Sequence, residues 1–342
     1  MRKKSKCIVR LFLCVELCCS CWAPAVFASY STFYDVRNSK EMQLNVADAL
    51  LGFRPQANIV TRVIKRADNG EILFSAVYSI DSFNRRAIPA ENNAMRNSSM
   101  IFFGCSLMFG EGVNDNETFP YYLAQLMPGY MPYNYGYLGY GPQAMLAKLQ
   151  NGDVFREVKE KHAMGFYLFI DNHVNRAIGS LQIAGNWGHD MPYYAIDENN
   201  RLVRRGSFYS GRHFSTMFYQ WLMQNELLKR WINGRDFPPI TDSHVLFTCR
   251  IIEESRNEFK KQFNSDDFYV ILYSRSASAY ASSMMRYFTE KGIKCLDYHN
   301  VDEFLKEGFS FKHEGHPTPI AFKFLANMVA RDIKLEEYSR HQ

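Results

Sequence analysis

A chain of 342 residues that is 47% apolar and 15% aromatic has enough material for one large core, or for a core domain with a smaller appendage, which excludes a disordered chain. Its 40 basic and 35 acidic residues leave a net charge of +5, and the one dense basic cluster, Arg2, Lys3, Lys4 and Lys6, lies at the very start. That balance argues against nucleic acid as a partner.

Residues 1–28 read as a secretory signal or a retained signal anchor: a basic start, an apolar stretch from Ile8 to Ala25, and Val26-Phe27-Ala28, which suits cleavage after Ala28. Arg10 and Glu16 interrupt the apolar run, and a charge at bilayer depth costs about 2.5–3.5 kcal/mol, so a full transmembrane helix is disfavoured. The expected location is therefore exported, periplasmic or extracellular, with peripheral proximity to a membrane left open. Five of the eight cysteines fall in this leader, and only Cys105, Cys249 and Cys295 follow it. An odd count cannot be fully paired within one chain, so a core rather than a disulfide framework is expected to hold the fold.

Residues 29–97 form the next unit, expected to be a small β-rich module. Two alternating stretches, Asn58 to Arg66 and Glu71 to Ser79, flank Asp68-Asn69-Gly70, and Asn-Gly between such runs predicts a hairpin. Residues 98–335 change character, with short apolar runs alternating with amphipathic stretches. Strands are predicted at Met100 to Phe103, Met131 to Tyr135, Phe166 to Ile170, Phe268 to Tyr273 and Ile293 to Asp297. Helices are predicted from Thr118, as N-cap, to Leu126, then over Pro142 to Leu149, Phe214 to Ile232, His244 to Phe263, Ala277 to Lys291 and Pro319 to Ile333. Alternating strands and helices imply an α/β fold with a mostly parallel sheet covered on both faces, and active groups beyond the carboxyl ends of the strands. Residues 174–213 show little periodicity and read as a functional insertion or lid. The broad apolar face of Phe214, Met217, Phe218, Trp221, Leu222 and Leu228 is expected to pack into the core rather than to bind lipid.

Three short segments carry the chemistry. The strand Met100 to Phe103 runs straight into Gly104-Cys105-Ser106, leaving a serine hydroxyl just past its carboxyl end, close to backbone N–H groups. Asn134 to Pro142 is a glycine-punctuated loop, where backbone can approach a ligand closely. Lys312-His313-Glu314-Gly315-His316-Pro317 sets a carboxylate two residues before a histidine, so that Glu314 can orient His316 as a base, with His313 as a competitor. Side chains of adjacent residues on an extended segment point to opposite sides, so one of Cys105 and Ser106 faces the site. No Cys/His spacing resembles a zinc site and no glycine-rich phosphate loop follows a strand, so no metal or cofactor is expected.

Taken in order, these segments resemble the SGNH (GDSL-like) hydrolase family. Phe103-Gly104-Cys105-Ser106-Leu107-Met108-Phe109-Gly110-Glu111-Gly112-Val113-Asn114-Asp115 looks like its first block, Asn134 to Pro142 its second, and Glu314-Gly315-His316-Pro317 its last, over about Met100 to Asp332. The resemblance implies a flavodoxin-like three-layer αβα fold around a parallel sheet. It also implies Ser106 as nucleophile, His316 as base, Glu314 in place of the usual aspartate, and the Gly139 N–H as an oxyanion donor. Cys105 stands where the family has Asp. The third block, Gly-x-Asn-Asp, is replaced by Ile170-Asp171-Asn172-His173-Val174-Asn175-Arg176, which leaves Asn172 or His173 as a further oxyanion donor and Arg176 to bind an acidic group or a sugar hydroxyl. The implied activity is ester hydrolysis on a small-molecule, glycan or lipid ester. The alternatives are acyl transfer to a polysaccharide and a non-catalytic carbohydrate-binding or assembly protein on the same fold.

Overall fold

The computed structural model describes residues 30–35, 44–90, 96–232, 235–273 and 280–340; the leader expected over residues 1–28 lies outside them. No helix among the described residues is long and apolar enough to cross a membrane.

The amino-terminal part is β1 (Tyr30–Asp35), β2 (Asn45–Asp48), β3 (Gly52–Pro55), β4 (Ile59–Ala67) and β5 (Ile72–Ile80). β4 and β5 form the expected antiparallel hairpin around Asp68-Asn69-Gly70, and β1 pairs with the other edge of β4. Period-2 alternation turns Ile59, Thr61 and Val63 of β4, with Phe74, Ala76, Tyr78 and Ile80 of β5, to one buried face. β2 and β3 make a separate two-stranded ribbon.

The larger part runs β6 (Ser98–Phe103), α1 (Ser106–Phe109), α2 (Phe119–Leu126), β7 (Tyr130–Asn134), α3 (Pro142–Asn151), α4 (Asp153–Glu157), β8 (Ala163–Phe169) and α5 (Asn172–Ile178). It continues with β9 (Pro192–Ile196), β10 (Leu202–Ser207), α6 (Phe208–Gly211), α7 (His213–Gln224), α8 (Glu226–Ile232), α9 (Asp242–Phe263), β11 (Phe268–Leu272), α10 (Ala281–Glu290), β12 (Lys294–Asp297) and α11 (Pro319–Arg340). Five strands make one parallel sheet in the order β12-β11-β8-β6-β7, the flavodoxin-like order. Because both faces are covered, the inner strands β8 and β11 are apolar and buried throughout, and β6 is from Met100 onward. Met100, Phe102, Phe166, Leu168 and Ile271 face α2 and α11 through Phe119, Leu123, Leu325 and Val329. Ile101, Phe103, Tyr167, Phe169 and Val270 face α3, α9 and α10 through Met145, Ile252, Phe259 and Met284. The result is a three-layer αβα sandwich.

Three expectations change. Residues 174–213 are mostly regular: α5, one π-helical turn at Ile183–Trp187, the antiparallel ribbon of β9 and β10, and α6. The helix expected from Phe214 to Ile232 is two helices, broken at Asn225, whose Oδ1 accepts the Leu228 N–H at 3.1 Å and so starts α8. The apolar face expected in the core is largely outside it. Phe214 is 88% exposed and Trp221 55%; of the expected face Leu222 is buried and Leu228 packs beside it, while Thr216, Tyr219 and Met223 supply the other inward contacts.

The hairpin sheet and the central sheet share one apolar cluster, in which Val63, Phe74, Ala76 and Tyr78 pack with Phe109, Tyr137 and Tyr140. Arg86 stitches them together. Its backbone bridges Ile80 at the end of β5 and Asn134 at the end of β7. Its buried guanidinium donates to Asp115 Oδ1 at 2.7 Å and to the carbonyls of Val113 (2.8 Å), Val77, Gly110 (both 3.2 Å) and Phe109 (3.3 Å). Removing one partner from such a buried network typically costs about 3–5 kcal/mol. Arg86→Met is expected to lower the unfolding free energy by that amount, read from the urea midpoint; a loss under about 1 kcal/mol would show that the node does not hold the fold.

Candidate active site

β6 ends at Phe103, and the chain turns through Gly104 and Cys105 into α1, whose first residue is Ser106. This single turn closes on Gly110, in the left-handed region, whose N–H returns to the Ser106 carbonyl. Beyond it Gly112 (φ +93°) donates its N–H to the Tyr78 hydroxyl at 2.8 Å, and a Cβ there would lie 2.6 Å from the Phe311 ring. Only glycine fits that combination of backbone and contact. Asn114 then accepts the Val77 N–H and Asp115 the Ser79 N–H, pinning the loop to β5.

The acid–base segment folds into a tight turn ahead of α11. The Phe311 N–H bonds to the His316 carbonyl at 2.9 Å, the Gly315 N–H bonds to the Phe311 carbonyl, and Ser310 pairs with Pro317. Glu314 Oε2 accepts the His316 backbone N–H at 2.8 Å, and Oε1 lies 2.5 Å from His316 Nδ1. His316 Nε2 is 2.7 Å from Ser106 Oγ. Residues 210 positions apart thus form one hydrogen-bonded chain, carboxylate to imidazole to hydroxyl. His313, the competing base, is exposed on the outer side of the turn at φ +61°. Cys105 is fully buried in the core on one side of the sheet, so of the adjacent pair Ser106 faces the imidazole.

Two groups join this chain that the motifs did not reveal. Lys65 of β4 sets its ammonium 2.7 Å from Glu314 Oε1 and 3.5 Å from Glu111 Oε1, and Glu111 Oε2 lies 3.3 Å from His316 Nε2. The signal for Lys65 was its phase: it continues the inward register of Ile59, Thr61 and Val63 and pairs with buried Phe74. Glu111 carried no signal beyond its place between two glycines.

The electrostatics follow. Burial pushes the Glu314 carboxyl up, but the hydrogen bond and charge of His316, then those of Lys65, outweigh it and hold the group at about 2. Burial likewise pushes His316 down, yet its hydrogen bond to Glu314 and the charges of Glu111 and Glu314 raise it above its ordinary 6.5. Burial opposes the Lys65 charge, and the Glu111 and Glu314 carboxylates reverse that, so its pKa is raised. Glu111, Glu314 and His316 have the donor types of a cation site, but the Lys65 ammonium already bridges the two carboxylates. A divalent ion there would meet that positive charge.

The glycine loop after β7 is held from both sides. Asn134 Nδ2 donates to the Met108 carbonyl and its Oδ1 accepts the Gly136 N–H, both at 2.9 Å. Tyr137 hydrogen-bonds to the Leu44 carbonyl and to Asn45, and Tyr140 to the Phe53 carbonyl. Gly139 has φ +76°, and a Cβ on it would meet the Trp187 ring at 2.6 Å.

The expected third-block residues lie on α5. Asn172 is exposed at the start of α5. His173 is fully buried, with Nδ1 2.7 Å from the Tyr167 hydroxyl, and burial beside the Arg176 charge pushes its pKa well down. Arg176 is buried and donates to the Tyr140 carbonyl at 2.8 Å, so it braces the glycine loop instead of lying open to a ligand. Among the described residues none of the three hydrogen-bonds to Ser106; His173 packs against Tyr167 and Phe169, and Arg176 is bonded to the glycine loop.

Fold and site together define a three-layer α/β protein with a serine–histidine–carboxylate array at the carboxyl end of its sheet. No protein-family model matches the chain, and neither does any curated protein. Among solved structures it is similar to a member of the lipolytic protein G-D-S-L family from Veillonella parvula DSM 2008, with 13% identity and a TM-score of 0.40 over 68% of this chain and 97% of that one. It is similar to an alpha/beta hydrolase enzyme from the metagenome of Lake Arreo, Spain, with 13% identity and a TM-score of 0.38 over 68% and 94%. It is also similar to an acetyl xylan esterase from Butyrivibrio proteoclasticus, with 12% identity and a TM-score of 0.37 over 80% and 68%. What this chain does has to come from its own side chains.

The Glu314 carboxyl, held at about 2 against an ordinary 4.5, contributes stability that is fully present above about pH 4.5 and lost as pH falls through about 2. Glu314→Gln is expected to flatten the fall in unfolding free energy across that window. Identical acid limbs for the two proteins, measured by urea denaturation at each pH, would contradict the pairing.

Proposed function

We propose that the chain is an exported serine esterase of the SGNH type, acting through an acyl-enzyme on Ser106. The observation that carries this reading is the 2.7 Å contact between His316 Nε2 and Ser106 Oγ, continued from Nδ1 to the Glu314 carboxylate. Neutral His316 takes the Ser106 proton as Oγ adds to the ester carbonyl carbon, and the carbonyl electron pair moves to oxygen. The Ser106 and Gly139 N–H groups are the donors assigned to that oxyanion. On collapse, His316 returns the proton to the departing alkoxide. Water, deprotonated by His316, then releases the carboxylic acid and restores the serine. Arg176 contributes by holding the Tyr140 carbonyl and hence the loop of Gly139. The leader favours a substrate outside the cytoplasm, an acetylated glycan or a lipid ester, and a sugar hydroxyl in place of water gives acyl transfer.

The mature chain is expected to hydrolyse short p-nitrophenyl esters and to be labelled covalently by a fluorophosphonate, with Ser106→Ala losing the label and at least about a thousandfold of turnover. Labelling that survives Ser106→Ala, or no hydrolysis across the panel, would refute the assignment. Since the base acts when neutral and its pKa is raised, the rate should climb with pH through a midpoint above 6.5. A midpoint below 6.5 would mean another base.

A further inference from the structure

We propose that Glu111 is a second carboxylate of the catalytic apparatus, pairing with the Nε2–H of protonated His316, and that Lys65 is the positioning residue that holds Glu111 and Glu314 in register. This rests on the assignment of His316 as the base for Ser106.

His316 Nε2 faces two oxygens, Ser106 Oγ at 2.7 Å and Glu111 Oε2 at 3.3 Å, while Nδ1 is committed to Glu314. In the resting state the Nε2 lone pair accepts the serine O–H, and Glu111 has no hydrogen to accept from it. Once the proton moves, Nε2–H becomes a charged donor, and as Oγ bonds to the acyl carbon the Glu111 carboxylate is the anionic acceptor within reach. Charge counting gives the same result. Two carboxylates face one lysine and a neutral imidazole at rest, leaving one negative charge unmatched, and the imidazolium matches it. The half-buried setting makes this worth more than an exposed pair, since the Lys65 and Glu111 side chains are 15% and 17% exposed and Glu314 only 1%.

Lys65 comes from a different sheet, and its ammonium reaches one oxygen of each carboxylate. With Lys65 bonded to Oε1 of Glu111, the other oxygen is turned to the imidazole. The groups facing His316 are therefore Glu314 on its own turn, Glu111 from the loop after α1, Lys65 from β4 and the Ser106 hydroxyl. The Tyr78 hydroxyl, near both carboxylates, stays neutral because burial pushes its pKa up.

The two residues act on His316 in opposite directions, which a merely structural role would not do. In the full chain labelled at histidine Cε1, with the His316 signal assigned by its absence in His316→Gln, Glu111→Gln is expected to move the His316 titration to lower pH by about one unit. Lys65→Met is expected to move it to higher pH, and Lys65→Arg to return it toward the parent value. The acid limb of kcat/KM should follow both shifts, and the alkaline plateau of kcat should drop about tenfold in Glu111→Gln with KM little changed. A His316 titration that stays in place in Glu111→Gln, or moves the same way in both variants, overturns the proposal. If Glu111→Gln folds poorly, the direction of the Lys65→Met shift decides alone. Absence of fluorophosphonate labelling in the parent chain would instead defeat the esterase assignment, while the titrations would still report the pairing.

Discussion

The site depends on one buried cation. The Arg86 guanidinium, at the junction of two sheets, satisfies three carbonyls of the segment Phe109 to Val113 and the carboxylate of Asp115. That segment is the return path from Ser106, and it carries Glu111. Peptide carbonyls directed inward would be costly without donors. Arg86 supplies the donors, and the faces of Tyr78 and Phe109, 4.1 and 4.7 Å from its carbon, enclose it. The loop therefore keeps one shape, and the serine at its start keeps one direction.

The amino-terminal strands are consequently part of the site rather than an appendage to it. On one side Lys65, Tyr78 and Phe74 touch the carboxylates, Gly112 and Phe311; on the other Leu44 and Phe53 take hydrogen bonds from Tyr137 and Tyr140 of the glycine loop. The loop after α1, the turn that carries Glu314 and the glycine loop thus each touch the amino-terminal strands. A flavodoxin-like sheet alone leaves such loops open to water at its carboxyl edge. Here the amino-terminal strands pack against them and supply a charge, Lys65, of the sign that two adjacent carboxylates require.

Much of this was legible in the chain because it is local. The β4–β5 hairpin needed only alternation around Asp68-Asn69-Gly70, and the inner central strands carry continuous apolar runs, as buried parallel strands must. Ser106, Glu314 and His316 sit in short segments whose order carries information. Lys65 and Glu111 were not legible as site residues, since their role arises only where a strand of one sheet crosses a loop of the other. Residues 174–213 misled for a different reason: their elements are one or two turns or short strands, below the length at which periodicity registers. The aromatic face of α7 failed because that helix is apolar on two sides and packs with only one, so hydrophobicity did not identify the inward side.

Glu314 ties its own turn to the imidazole and to the hairpin sheet. Its two oxygens serve both the turn and the ring, with Oε2 closing the turn on the His316 N–H and Oε1 on Nδ1. It also brings Oε1 out to the Lys65 ammonium at 2.7 Å. A carboxylate with three donors on two oxygens loses its rotational freedom, and its hold on the imidazole tautomer tightens accordingly. The acid and the lysine from the hairpin sheet therefore belong together: shortening the acid would withdraw the oxygen that Lys65 holds.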